Sequence, residues 1–224
     1  MALVFDLDGT LVDSVYQHVV AWHEALAETG IELSIWRIHR RIGMSGGLFA
    51  QALARETGGR LDEATIAELQ DRHLKAYRAR ADQVRALPGA VALLRRLSAQ
   101  HVKWAIATSG KLASAGPVLA QLGVPEGVPV VTRDQVPHAK PDPDLFLEAA
   151  RQLDVPPAEV MVVGDSVWDL LAARRAGSLG IGLLSGGYGK DELERAGAYR
   201  VYEDPADLLT HLYELGIREP RAPA

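Results

Sequence analysis

Asp6 and Asp8 stand two residues apart at the end of an apolar run, Leu3 to Phe5, and are followed by Gly9 and Thr10. In extended backbone residues i and i+2 point to the same face, so this spacing lets both carboxylates look into one site beyond a strand end. Alone, such a pair also serves as turn chemistry. A second pair, Asp165 and Asp169, follows the apolar run Val160 to Val163. With a helix starting at Ser166, Asp165 is expected as its N-cap and Asp169 one turn further along on the same side. Like charges so placed repel unless a cation or donor lies between them. Thr108, Ser109 and Gly110 close another apolar run and open a helix, where a small hydroxyl and free backbone N–H groups suit an anion. Lys140 precedes Pro141, whose ring keeps it extended in a loop, a position in which a lone lysine is ordinarily solvated.

The elements that must carry these residues are short apolar strands at Leu3–Phe5, Val102–Ala107, Val128–Val131, Val160–Val163 and Ile181–Leu184. Helical stretches at Val91–Gln100, Leu112–Leu122, Asp142–Leu153, Val167–Ala176 and Asp191–Ala196 alternate with them, which predicts an α/β sheet. From Ser14 to Leu87 the pattern is helical with no strand, broken at Gly30, Gly43 to Gly47 and Gly58-Gly59. A stretch of that length is too long for a loop. The expected division is therefore a core of residues 1–13 and 88–224 with a helical cap at 14–87, entered at Val12 to Ser14 and left at Pro88-Gly89. Residues 218–224, with two prolines and no apolar periodicity, are expected to fray.

All four chemical features then fall at the carboxyl ends of parallel strands, where open α/β sheets place their ligands. That many carboxylates in one crevice bind an anion only with help, and an oxygen-seeking divalent cation, Mg²⁺ above all, supplies it. Lys140 and the Thr108 turn add the remaining anion contacts. Such a site holds a phosphoryl group in line with a carboxylate nucleophile.

Composition narrows the field. The 224 residues carry 24 Lys and Arg against 29 Asp and Glu, a net charge of -5, which gives no general attraction to nucleic acid or an anionic membrane. No apolar run approaches a membrane span and no signal peptide is expected at Met1 to Phe5. The absence of cysteine excludes disulfides, thiolate metal sites and a cysteine nucleophile, and fits a cytoplasmic location.

These residues resemble the haloacid dehalogenase superfamily, and within it the phosphoglycolate phosphatase and β-phosphoglucomutase branch with a helical cap. Phe5 to Ser14 is similar to the first motif of that family, Thr108-Ser109-Gly110 to the second, Lys140-Pro141 to the third, and Gly164-Asp165-Ser166 with Asp169 to the fourth. The resemblance implies a Rossmann-like, doubly wound parallel sheet and a Mg²⁺-dependent phosphatase acting through an aspartyl-phosphate. Asp6 would be the nucleophile and Asp8 the acid and base; Asp6, the Asp8 carbonyl and Asp165 would hold the metal. Thr108, Ser109, Gly110 and Lys140 would grip the phosphoryl oxygens, with Asp169 behind them orienting Lys140 or metal waters. Asp8 speaks against the founding dehalogenase reaction, whose enzymes generally lack it.

His18, Ala21 and Trp22 resemble a run found in β-phosphoglucomutases and some sugar-phosphate phosphatases, so His18 and Trp22 are expected to meet the substrate, unless they share a helix face and merely pack. The expected substrate is a small phosphorylated metabolite: a sugar phosphate, a polyol phosphate or phosphoglycolate. A phosphosugar mutase is the alternative, although Gly46 stands where the mutase loop carries a phosphate-binding arginine and only Arg40 and Arg41 lie near. Phosphonate hydrolysis would require a Schiff-base lysine, and Lys75 is the one lysine of the cap. A non-catalytic, phosphate-responsive binding protein is the third reading. A monomer is expected, with a dimer as the alternative.

Overall fold

The structure, a computed structural model, describes residues 1–56 and 61–218. The expected helix break at Gly58-Gly59 and all but Arg218 of the expected fraying tail lie outside the described residues.

In chain order the elements are β1 (Ala2–Phe5), β2 (Val12–Asp13), α1 (Val15–Ala27), α2 (Ile35–His39), α3 (Gly46–Glu56), α4 (Glu63–Arg78), β3 (Arg85–Ala86), α5 (Ala90–Ala99) and β4 (Lys103–Ala107). There follow α6 (Leu112–Leu122), β5 (Val130–Val131), α7 (Asp144–Gln152), β6 (Val160–Gly164), α8 (Val167–Ala176), β7 (Leu179–Leu183), α9 (Lys190–Ala196), β8 (Ala198–Tyr202) and α10 (Pro205–Thr210). Six strands form one parallel sheet in the order β5-β4-β1-β6-β7-β8. The chain starts at the centre, winds outward to one edge and returns to wind to the other, so the order reverses beside β1 and leaves a crevice there.

Alternation within each strand builds two cores. Leu3 and Phe5 of β1 face a layer that includes Leu93 and Leu97 of α5 and Val118 of α6. Ala2 and Val4 face the opposite layer, with Phe146 and Ala149 of α7 and Ala172 and Ala173 of α8. Burying both faces is what requires near-continuous apolar strands.

Between β2 and β3 the chain is helical, with an apolar cluster of its own that joins Val19, Trp22 and Leu26 of α1, Ile38 of α2, Phe49 and Leu53 of α3, and Leu69 of α4. The two linking segments pair as an antiparallel ribbon, Val12 with Ala86 and Asp13 with Arg85. A strand at Arg85–Ala86 corrects the expectation that Ser14 to Leu87 holds none; two residues are too few to print a pattern. β8 and α10 extend the sheet beyond the expected elements, because Tyr199 and Arg200 of this edge strand are exposed and break the apolar run.

Candidate active site

Each chemical residue sits where a strand stops. Asp6 follows β1 with its backbone N–H still donating to the Val163 carbonyl at 2.9 Å. The chain then turns sharply: Gly9 has φ +83°, and a Cβ there would lie 2.5 Å from Asp165 Oδ2, so both conformation and space call for glycine. Thr10 Oγ1 donates to Asp165 Oδ1 at 2.7 Å and so ties the first turn to the end of β6.

After β6 the N-cap of α8 is Ser166, not Asp165. The Ser166 hydroxyl accepts from the Asp169 N–H at 3.4 Å, and Asp169 Oδ2 accepts from the Ser166 N–H at 3.0 Å, a capping box. Asp165 is thereby released from capping and turned toward Asp6. The expectation erred by one residue because the strand continues through Gly164, moving the helix start forward.

Lys140 joins the crevice, as its place among the four features leads one to expect, and does so away from solvent. It is fully buried, not solvated, and its ammonium pairs with Asp6 Oδ1 and, at 2.8 Å, with Asp169 Oδ1. Burial favours the neutral amine, but the two carboxylates outweigh it and push the ammonium above its ordinary range. For Asp6 the balance is reversed: burial, opposed by Lys140 and aided by Asp169, raises it to about 7. Burial with Asp169 and Asp6 nearby raises Asp165 well above the carboxylate range.

Oxygens of Asp6, Asp165 and Asp169 all lie within 4.8 Å of one another. Three carboxylates against one ammonium leave the site short of positive charge, and a hard divalent cation has the matching preference for oxygen. A Cβ on Gly186 would lie 1.8 Å from Asp165 Oδ2, so the loop after β7 backs that carboxylate closely. The donor set and its backing fit a small oxygen-liganded ion. The Asp8 carboxylate is outside this cluster: it accepts from Ser14 Oγ at 2.6 Å and faces His18 Nε2 at 3.2 Å. Burial pushes Asp8 up, but His18, the Ser14 hydroxyl and Lys140 together hold it below its ordinary range.

Above these groups opens a cavity of about 420 Å³, lined by Asp6, Asp8, His18, Trp22, Thr108, Ser109 and Gly110 among others. Thr108 Oγ1 accepts from the Gly110 N–H at 3.0 Å, and Ser109 Oγ donates to the Gly43 carbonyl at 3.0 Å, joining the β4 turn to the helical segment. Trp22 is 5% exposed and packs with Phe49 and His73, so it offers the cavity little surface. Of the two nearby arginines, Arg41 lines the cavity and Arg40 pairs with Glu192 outside it.

The sequence expectation brought Asp6, Asp8, Thr108, Lys140, Asp165 and Asp169 to one crevice, and the structure brings them together. It left out Thr10, Ser14 and His73. A hydroxyl five residues before α1 and another at its N-cap were visible signals for the first two; His73 meets His18 across α4 and α1 and has no local signal.

A sequence profile of haloacid dehalogenase-like hydrolases matches residues 1–177. A phosphoglycolate phosphatase of Cereibacter sphaeroides is 34% identical over 216 residues, spanning 94% of this chain and 98% of that one. Hexitol phosphatase A of Escherichia coli is 33% identical over 177 residues, or 78% of each chain. Among solved structures, a hydrolase from Pseudomonas syringae matches with a TM-score of 0.93 at 53% identity, covering 96% of this chain and 98% of that chain. Among the described residues no helix is long and apolar enough to cross a membrane.

Proposed function

The chain belongs to the haloacid dehalogenase-like hydrolases and is a phosphatase of phosphoric monoesters, and from that premise we propose a Mg²⁺-dependent hydrolysis of a small sugar phosphate, polyol phosphate or phosphoglycolate through an aspartyl-phosphate. The observation that carries this reading is the meeting of Asp6, Asp165, Asp169 and Lys140 beneath one cavity. The cavity volume suits a small metabolite.

The side chains of Asp6 and Asp165, with the Asp8 carbonyl, would hold the metal. Bound there, it supplies the positive charge that lets an anionic phosphoryl group approach the carboxylates. An Asp6 oxygen attacks phosphorus as the bond from phosphorus to the leaving oxygen breaks, and Asp8 gives its proton to that oxygen. Asp8, now ionised, takes a proton from the water that attacks the aspartyl-phosphate, which releases inorganic phosphate and the Asp6 carboxylate. His18 and Ser14 lower the proton affinity of Asp8, and a phosphoryl group beside it raises that affinity, which serves both the proton it gives and the proton it takes. Lys140 and Thr108 steady the equatorial oxygens, with Ser109 and Gly110 shaping the turn. Asp169 keeps the Lys140 ammonium in place. Residues 14–87, hinged on the β2–β3 ribbon, act as a cap over the core formed by 1–13 and the chain from 88 onward, with His18 and Trp22 on its inner wall.

Phosphate release from sugar phosphates, hexitol 6-phosphates and 2-phosphoglycolate, with Mg²⁺ and with chelator, tests the proposal. Metal-dependent release that the Asp6→Asn variant lacks is expected. Activity retained by that variant, or a bisphosphate-dependent isomerisation of β-glucose 1-phosphate faster than hydrolysis, would overturn it.

A further inference from the structure

His73 lies on α4, outside every motif that points to the chemistry, yet its Nε2 stands 3.1 Å from His18 Nδ1, while His18 Nε2 stands 3.2 Å from Asp8 Oδ1. The three side chains form one line from the cap wall to the carboxylate that handles the proton. We infer that His73 is a positioning residue for the acid–base step, holding the His18 ring so that Asp8 stays aimed at the leaving oxygen. The inference rests on the role given above to Asp8.

Hydrogen-bond valence carries it. An ionised Asp8 only accepts, so His18 Nε2 must bring its hydrogen to that bond, which leaves His18 Nδ1 facing His73. A neutral imidazole at 73 has one donor and one acceptor. Its Nε2 donates to a bare His18 Nδ1 or, in the other tautomer, accepts from Nδ1–H. The contact therefore survives either state of its neighbour, and the His18 ring need not turn as Asp8 loses and regains a proton. Burial and the adjacent His18 hold His73 well below the ordinary imidazole range, which keeps it neutral. A lysine here would only donate, and a phenylalanine would stack without bonding.

Ring packing fixes the planes. His18 stacks on Tyr77 with centroids 3.9 Å apart and 4° between planes, and His73 stacks on Trp22 at 4.2 Å and 16°. Tyr77 is one turn beyond His73 on α4, and Trp22 one turn beyond His18 on α1, so a repeated i, i+4 spacing presents the four rings to one another.

The test compares kcat/KM, which reports steps through departure of the leaving group, for two probes. One is p-nitrophenyl phosphate, whose leaving phenolate needs little protonation; the other is whichever of hexitol 6-phosphate and 2-phosphoglycolate the unmodified chain hydrolyses faster. His73→Phe keeps a ring against Trp22 and removes the hydrogen bond, and is expected to lower kcat/KM for the alkyl ester about ten-fold more than for the nitrophenyl ester. His73→Gln, whose amide either donates or accepts, is expected to recover most of that loss. Equal losses on both probes, no loss, or no recovery by glutamine would overturn the inference. Asp8→Asn runs in parallel: if it discriminates between the probes and His73→Phe does not, the inference about His73 alone fails; if Asp8→Asn affects both probes equally, the role of Asp8 falls as well.

Discussion

At the strand ends Lys140, Asp6 and Asp169 meet with none of them more than 3% exposed, whereas on the facing wall His18, Trp22, His73 and Tyr77 are held by ring stacking between α1 and α4. The floor is charged, and each group is in place because its partner is; removing one leaves the others uncompensated in a poorly solvated site. The wall is held by aromatic contacts, and each stacked pair adds only about 0.5–1.5 kcal/mol beyond its burial. A floor built this way tolerates almost no substitution, while a wall held by small stacking contacts tolerates more, except where the His18–His73 pair reaches Asp8. That division suits a family whose phosphatases carry the names of different substrates, a phosphoglycolate phosphatase and a hexitol phosphatase among them.

The sharpest way to break the comparison is at the floor. Asp6→Asn is expected to lower phosphate release by at least about 1,000-fold while the chain remains folded, measured by turnover beside circular dichroism. Lys140→Met should cost roughly 3–5 kcal/mol in urea unfolding with chelator present, because two buried carboxylates lose their cation. Added Mg²⁺ should recover part of that loss; full stability without metal would show that the ammonium is not what balances the floor. Gly186→Ala forces Asp165 to move, and the expected result is a metal affinity weaker by about 10- to 100-fold, read from the Mg²⁺ dependence of activity.

A smaller effect separates the floor from the wall by pH. Burial raises Asp6 from 3.8 to about 7, so between those values the folded chain holds a proton that the unfolded chain has released. This contribution to stability is complete below about pH 4 and is lost as pH rises through about 7. In metal-free protein, Asp6→Asn should flatten that part of the curve of melting temperature against pH. The smallest effect is expected where the two regions meet at the surface: Glu192→Gln frees Arg40 from a half-exposed pair and should change stability by no more than about 1 kcal/mol. A larger loss there would mean that the contact between α2 and α9 holds the wall in place.

Much of the floor was legible because it obeys local rules. Apolar strands announce both core faces, and a carboxylate at a strand end points where the pleat sends it, so Asp6 and Asp165 were placed by position alone. Where the expectation slipped, a residue next door competed for the same role: Ser166 caps α8 better than Asp165, whose side chain Thr10 holds elsewhere. β3 and β8 escaped because one is two residues long and the other has an exposed, mixed face.

The sequence by itself determined the alternation of strand and helix, the long helical interruption after β2, and the gathering of acidic residues at strand ends, since each follows from backbone period and chain direction. That Lys140 is fully buried and pairs directly with Asp6 was decided by the tertiary structure. Lys140 and Asp6 are 134 residues apart, and only the packing of the loop before α7 beneath β1 buries one against the other. The same holds for His18 and His73, 55 residues apart, whose meeting depends on how α1 lies against α4. Local geometry sets the direction in which a side chain leaves its own backbone; what it meets there depends on contacts between distant segments, and at this site those contacts set the charge balance.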